Sequence, residues 1–255
     1  MSELFFIGWS GRTGAALGRF LAFVGATAVG GLTLLGFTLG AGLDDPSAGL
    51  IGLAPVPQAT PLAPEGRSLE GVLEPGPYPI LRLDPSTDRP QGEALLLNGF
   101  GKTGISVDAA LYGTRVAVSG TVFRRGDIAM LTTDGAFAPV AGQAAPPPAP
   151  VSLGRWRLAG ELCDGKCYGG IMKPGTGLAH RACASLCFVG EVPLVFVAAS
   201  PLAGGAFFVL AGADGGPPPD AARRFIGVPA LLEGEVERRG TLFVFRVDFA
   251  TARLL

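Results

Sequence analysis

The chain has 255 residues, with 20 Lys and Arg against 21 Asp and Glu and a formal net charge of −1, so its charge gives no reason to expect a nucleic-acid partner. Hydrophobic residues make up 48% and charged residues only 16%, which excludes an intrinsically disordered chain. Only one apolar run is long enough to span a bilayer, which argues against a polytopic membrane protein.

Residues 1–19 contain Leu4-Phe5-Phe6-Ile7-Gly8-Trp9, which is apolar but too short to span. It is expected at the cytoplasmic interface, where Trp is favoured, or against a partner. From Phe20 to Leu43 no residue is charged. A helix of that length exceeds the roughly 30 Å hydrocarbon thickness of a bilayer, so residues 20–43 are expected to form a transmembrane helix. Arg12 and Arg19 precede it, and Asp44 and Asp45 follow. The positive-inside rule then puts the N-terminus in the cytoplasm and the bulk in the periplasm of a single-pass bacterial inner-membrane protein. A cleaved signal peptide is the alternative, but its apolar core runs to only about 7–15 residues and no clean A-x-A site follows here. Ala22, Ala26, Gly30, Gly36 and Gly40 are small residues at helical spacing. They offer a face on which an integral membrane partner can pack closely, although Gly and Ala are abundant throughout the chain.

Residues 44–66 and 141–150 are rich in proline and read as extended spacers. They bracket two segments, 67–140 and 151–255, that look like copies. Gly113–Asp134 and Gly227–Asp248 share Gly113/Gly227, Gly120/Gly234, Val122/Val236, Arg124/Arg238, Arg125/Arg239, Gly126/Gly240 and Asp134/Asp248 at a constant offset of 114. Leu69-Glu70-Gly71 matches Leu158-Ala159-Gly160 at an offset of 89. The second copy therefore carries about twenty-five extra residues between its first two strands, and an internal duplication is expected. Short β-rich runs flank the Arg-Arg-Gly turns, a hairpin signal. Short helices are expected at Ser106–Leu111 and Asp220–Phe225. The fold class is mainly β: two tandem small β-barrels of the OB type behind one N-terminal transmembrane helix, with an open sandwich as the alternative. The paired arginines are expected to solvate their turn, with anion binding as the alternative.

The extra segment, 161–190, holds all four cysteines and the single histidine: Cys163-x3-Cys167, then His180-x2-Cys183-x3-Cys187. Three readings stand. Two structural disulfides suit an oxidising compartment, with the nested pairs Cys163–Cys187 and Cys167–Cys183 stapling the insertion. A zinc or copper site suits the thiolate and imidazole donors, because a helix through His180, Cys183 and Cys187 puts them at i, i+3 and i+7 on one face. A redox-active dithiol is the third reading, although no Cys-x-x-Cys is present. Binuclear copper domains share Cys-x3-Cys, but the downstream His and Met ligands expected of them are missing.

The run from Gly160 to Pro193 resembles a pattern in small exported bacterial proteins to which no activity is attached. Cys167, His180, Cys183 and Cys187 match that pattern, and Cys163 less clearly so. The resemblance implies an exported β domain. Gly101-Lys102-Thr103 lacks the upstream glycine of a P-loop and reads as a turn. No Ser-His-Asp triad is available. The expected function is a membrane-anchored periplasmic, non-catalytic accessory subunit of a respiratory or photosynthetic redox complex, its cysteine segment stapled by two disulfides. The alternatives are a metal- or cofactor-handling protein and a thiol-disulfide redox protein.

Overall fold

The computed structural model describes residues 14–41, 60–61, 68–86 and 92–255. The Leu4–Trp9 segment, Arg12, Asp44, Asp45 and most of the 44–66 spacer lie outside the described residues. The chain divides into two compact units, 1–44 and 45–255.

In the first unit, helix α1 covers Ala15–Ala41 and so begins five residues before the uncharged run. Arg19 falls inside it, with Nε donating to the Ala15 carbonyl at 3.3 Å. The stretch Ala15–Thr38 is long and apolar enough to cross a membrane, and none of it is buried. A signal sequence near an N-terminus has the same character. Thr27 and Thr38 donate back to the Phe23 and Leu35 carbonyls at 2.9 and 3.1 Å. Their hydroxyls are thus satisfied within the helix, as a lipid environment demands. Ala22, Ala26, Gly30 and Gly36 are exposed on α1, and Gly40 falls in its last turn.

The second unit is built from two sheets. The first contains β1 (Thr60–Pro61), β2 (Ser68–Glu74), β3 (Ile80–Leu83), β4 (Glu93–Asn98), β5 (Arg115–Ser119), β6 (Thr121–Arg125), β7 (Ile128–Thr132) and β8 (Ala138–Pro139). Its strand order is β1-β6-β7-β4-β3-β2-β5-β8. After an exposed coil at 141–150, the second sheet contains β9 (Val151–Asp164), β10 (Leu194–Leu202), β11 (Gly205–Gly212), β12 (Pro229–Arg239), β13 (Leu242–Val247) and β14 (Arg253–Leu254). Its order is β13-β11-β10-β9-β12-β14, and β13 also pairs with β12. Strands β9 to β13 therefore close into a five-stranded barrel.

Several local expectations recur as pairings. The hairpin β6–β7 runs from Thr121↔Thr132 to Arg125↔Ile128, and β12–β13, which begins one pair earlier at Gly234↔Val247, repeats that register 114 residues on from Glu235↔Arg246 to Arg239↔Leu242. Each sheet has one parallel pair, β4–β7 and β11–β13. In the first sheet the chain passes from the β2 side (β5) to the β7 side (β6) at Gly120. A Cβ at Gly120 would overlap the Thr132 carbonyl oxygen, and one at Gly234 would overlap that of Arg246, so each glycine admits a close backbone approach. Gly126 and Gly240 turn the hairpins at φ 56° and 61°, in the left-handed region that favours glycine. Short 3₁₀ turns occur at Ala109–Leu111 and Asp220–Phe225.

The Arg124-Arg125 pair departs from the solvated-turn expectation. Arg124 is ion-paired with Glu93 on β4. The Arg125 guanidinium lies 4.3 Å from the Tyr168 ring centroid and donates to the Tyr168 carbonyl at 3.2 Å. Both arginines are half-buried, because a neighbouring strand and the cysteine-bearing insertion cover the turn.

Every residue of β7 is buried. Ala129 and Leu131 join a core with Leu73, Leu81, Leu95, Leu97 and Val122. The alternate residues Ile128 and Met130, with Ile80, Leu96 and Phe123, join the core of Tyr168, Phe196, Phe208 and Phe245. Successive strand residues face opposite ways. A strand buried on both faces therefore reads as a continuous apolar run, as in Leu95-Leu96-Leu97.

Candidate functional site

The site is built where β9 ends and before β10 begins, in the excursion enclosed by the Asp164↔Leu194 pair. The chain makes one π-helical turn at Cys167–Ile171, loops back through Met172–Thr176, and enters helix α2, Gly177–Val189. The Gly177 amide donates to Glu161 Oε1 at 2.6 Å. A buried carboxylate thus satisfies an orphan donor at the positive end of the helix. Along α2, His180, Ala184 and Cys187 are buried, and Cys183 is half-buried beside them.

Four of the five residues singled out from the sequence converge. The Cys167 and Cys183 sulfurs and a ring nitrogen of His180 lie within 4.8 Å of one another, as do the Cys167 and Cys187 sulfurs and a carboxylate oxygen of Asp164. Cys167 Sγ and Cys183 Sγ are 4.0 Å apart. All four cysteines are free thiols. Cys163 stands apart, donating to Glu161 Oε1 at 3.3 Å. It packs in the barrel core, whereas Cys167, Cys183 and Cys187 pack together with Val192. The cause is strand alternation: Glu161 and Cys163 share one face of β9, and Asp164 takes the other.

Four contributors were not singled out from the sequence. Asp164, fully buried, receives the Cys167 amide on Oδ1 at 2.7 Å and pairs with His180 Nε2 through Oδ2 at 2.8 Å. It orients one thiol-bearing turn and the imidazole together. Carboxylate–histidine–metal relays use this arrangement. Lys102, in the β4–β5 connection, places Nζ 2.6 Å from Cys183 Sγ and 3.8 Å from Cys187 Sγ. Lys166 Nζ donates to the Gly99 and Gly101 carbonyls at 2.6 and 2.8 Å, and the Gly104 amide donates to the Gly190 carbonyl at 2.5 Å. These bonds fasten the 99–104 loop to the insertion. Met172 brings its thioether sulfur to 3.4 Å from Cys183 Sγ. The signal available in the sequence was the scarcity of lysine: two of the chain's three lysines meet here.

The local electrostatics divide the thiols. Burial raises the Cys163 thiol well above its ordinary pKa, and Glu161 adds to the effect, so it stays protonated. The Cys167 thiol donates to Cys187, which raises Cys167 and lowers Cys187. Burial pushes Asp164 up, but its bonds with His180 and the Cys167 amide outweigh this and hold it below the ordinary carboxylate value. The bond to Cys183 raises Lys102. Burial lowers Lys166. Of the clustered thiols, Cys187 is thus the one held toward the thiolate, the form that binds metal.

No protein-family model, curated protein or solved structure matches the chain. The donor set of thiolates, imidazole and a nearby thioether fits a soft or borderline metal ion, and the class this site defines is a candidate Cys/His metal centre on a β-barrel unit.

Proposed function

We propose that the chain is a membrane-anchored metal-binding protein, with zinc or copper held by Cys167, His180, Cys183 and Cys187 as its working centre. The observation that carries this reading is that the single histidine and three of the four cysteines fall in two overlapping groups that share Cys167, one with His180 and Cys183 and one with Cys187 and Asp164, and that Asp164 bonds both His180 and the Cys167 amide. In this reading unit 2 is a duplicated OB-like barrel, supported by the shared hairpin register at offset 114 and by the one parallel pair in each sheet. The second copy acquired the ligand-bearing excursion, and a loop of the first copy covers it. Helix α1 is the anchor. The charge flanks of the apolar run favour a cytoplasmic N-terminus and a periplasmic β unit. The small residues of α1 would seat it on an integral membrane partner, so that the chain serves a membrane redox complex as an accessory subunit.

The deciding experiment is metal analysis and native mass of the full chain extracted from membranes in mild detergent. One equivalent of zinc or copper, lost in Cys183→Ser, is expected. A metal-free chain about 4 Da below the reduced mass would sink the proposal, since two disulfides remove four thiol hydrogens. The 4.0 Å Cys167–Cys183 separation makes that pair the first to close in such a case.

A further inference from the structure

The metal centre proposed above gathers charged groups whose balance bears on the choice of ion. Cys167 lies in two groups, one with Cys183 and His180 and one with Cys187 and Asp164, and with metal bound the three sulfurs would be thiolates beside the Asp164 carboxylate. The ammonium groups of Lys102 and Lys166 return two positive charges. Glu161, which caps α2 and receives Cys163, is a further carboxylate nearby, and His180 ligates as the neutral ring. Net negative charge thus remains in a site where His180 and Asp164 are almost wholly buried, and uncompensated buried charge is costly. A divalent cation offsets more of it than a monovalent one. Sulfur donors disfavour magnesium and calcium, and copper(II) prefers tetragonal nitrogen and oxygen sites. Three thiolates and an imidazole are a tetrahedral zinc set.

Lys102 has a definite place in this balance. It reaches the site from the other sheet, 81 residues away from Cys183 in sequence. Its Nζ is directed at two sulfurs and the Cys183 carbonyl, 3.4 Å away, and makes no bond to its own loop. The loop itself is held by Lys166 and by the Gly104–Gly190 amide bond. The loop thus has fastenings to the insertion that do not depend on the Lys102 charge.

We infer that the centre takes one divalent cation, zinc by preference, and that Lys102 is a positioning residue that supplies the countercharge to the Cys183 and Cys187 thiolates. This inference rests on the metal-binding reading, and its test separates the two. Cobalt(II) is the probe, because thiolate ligation gives it near-ultraviolet charge-transfer absorption and tetrahedral geometry gives it strong visible bands. The reduced full chain in mild detergent is expected to bind one cobalt(II), displaced by one zinc(II). Lys102→Met is expected to keep the band shape while binding about 10–100-fold more weakly, the cost typical of losing an outer-shell partner. Lys102→Arg is expected to recover most of the affinity, and Lys173→Met to bind as wild type does. Absence of cobalt binding by the wild type would overturn the metal reading itself. Wild-type affinity in Lys102→Met, or equal weakness in Lys102→Arg and Lys102→Met, would overturn the countercharge role and leave the metal reading standing. One equivalent of copper(I) instead of zinc in the chain as extracted would overturn the divalent assignment. Metal-free melting curves identify any variant that loses its fold, and Lys102→Gln then replaces Lys102→Met in the same comparison.

Discussion

Asp164 binds two different things at once: the imidazole of His180 and the amide that begins the Cys167 turn. Asp164→Asn keeps the shape but removes the charge and one acceptor. It is expected to weaken metal binding by about 10–100-fold in competition against a chelator, and unchanged affinity would remove its orienting role. Cys163 and Cys183 make the opposite comparison. Cys163→Ala is expected to retain the metal at one equivalent and to cost about 1 kcal/mol of stability, the ordinary size of a point substitution. Cys183→Ser is expected to lose the metal. If elemental analysis showed loss in Cys163→Ala, that thiol would belong in the ligand set after all. The residue types in 161–190 made the four converging ligands legible from the sequence. The resemblance matched Cys163 least clearly, but the residue types alone did not place it, because that depends on which face of β9 meets the barrel core.

At the scale of elements, the insertion and the 99–104 loop hold each other. A Cβ on Gly190 would overlap the Lys102 carbonyl oxygen, and one on Gly104 would overlap that of Glu191. Gly190→Ala should therefore push the loop away from α2. The expected cost is about 1–3 kcal/mol, as for other overpacked sites, with weaker metal retention besides. Calorimetry of zinc-loaded and zinc-free chains separates these effects, and an unperturbed Gly190→Ala would show that the loop contact is slack. The hairpins were legible because their signal is local: β-branched and aromatic runs about a glycine turn. The partners of the arginines were not, because Glu93 and Tyr168 are brought to the turn by pairing and packing that span 31 and 43 residues.

For the molecule as a whole, the ligands sit on one sheet's insertion and the countercharge on the other sheet's loop, and the two sheets share a core through β7. Metal removal by a chelator is expected to lower the melting temperature of the β unit in one cooperative transition, since a ligand that binds only the folded state stabilises it by linkage. A melting temperature unchanged by chelation would show that the centre is not coupled to the fold. Deleting residues 15–41 is expected to release the chain from membranes into the soluble fraction. Continued sedimentation with membranes would move the anchor elsewhere.

The amino-acid sequence by itself determined the elements whose cause is local. Hydropathy set an apolar N-terminal helix, and period-two and glycine-turn patterns set the β hairpins. The concentration of Cys and His marked the chemically distinctive segment. Only the tertiary structure decided that one strand buries both of its faces, that Cys163 turns away from the other thiols, and that Asp164, Met172, Lys166 and Lys102 complete the site. Each of these depends on which distant backbone comes within a few ångströms, and short-range periodicity carries no information about a lysine that meets a cysteine sulfur across 81 residues of chain.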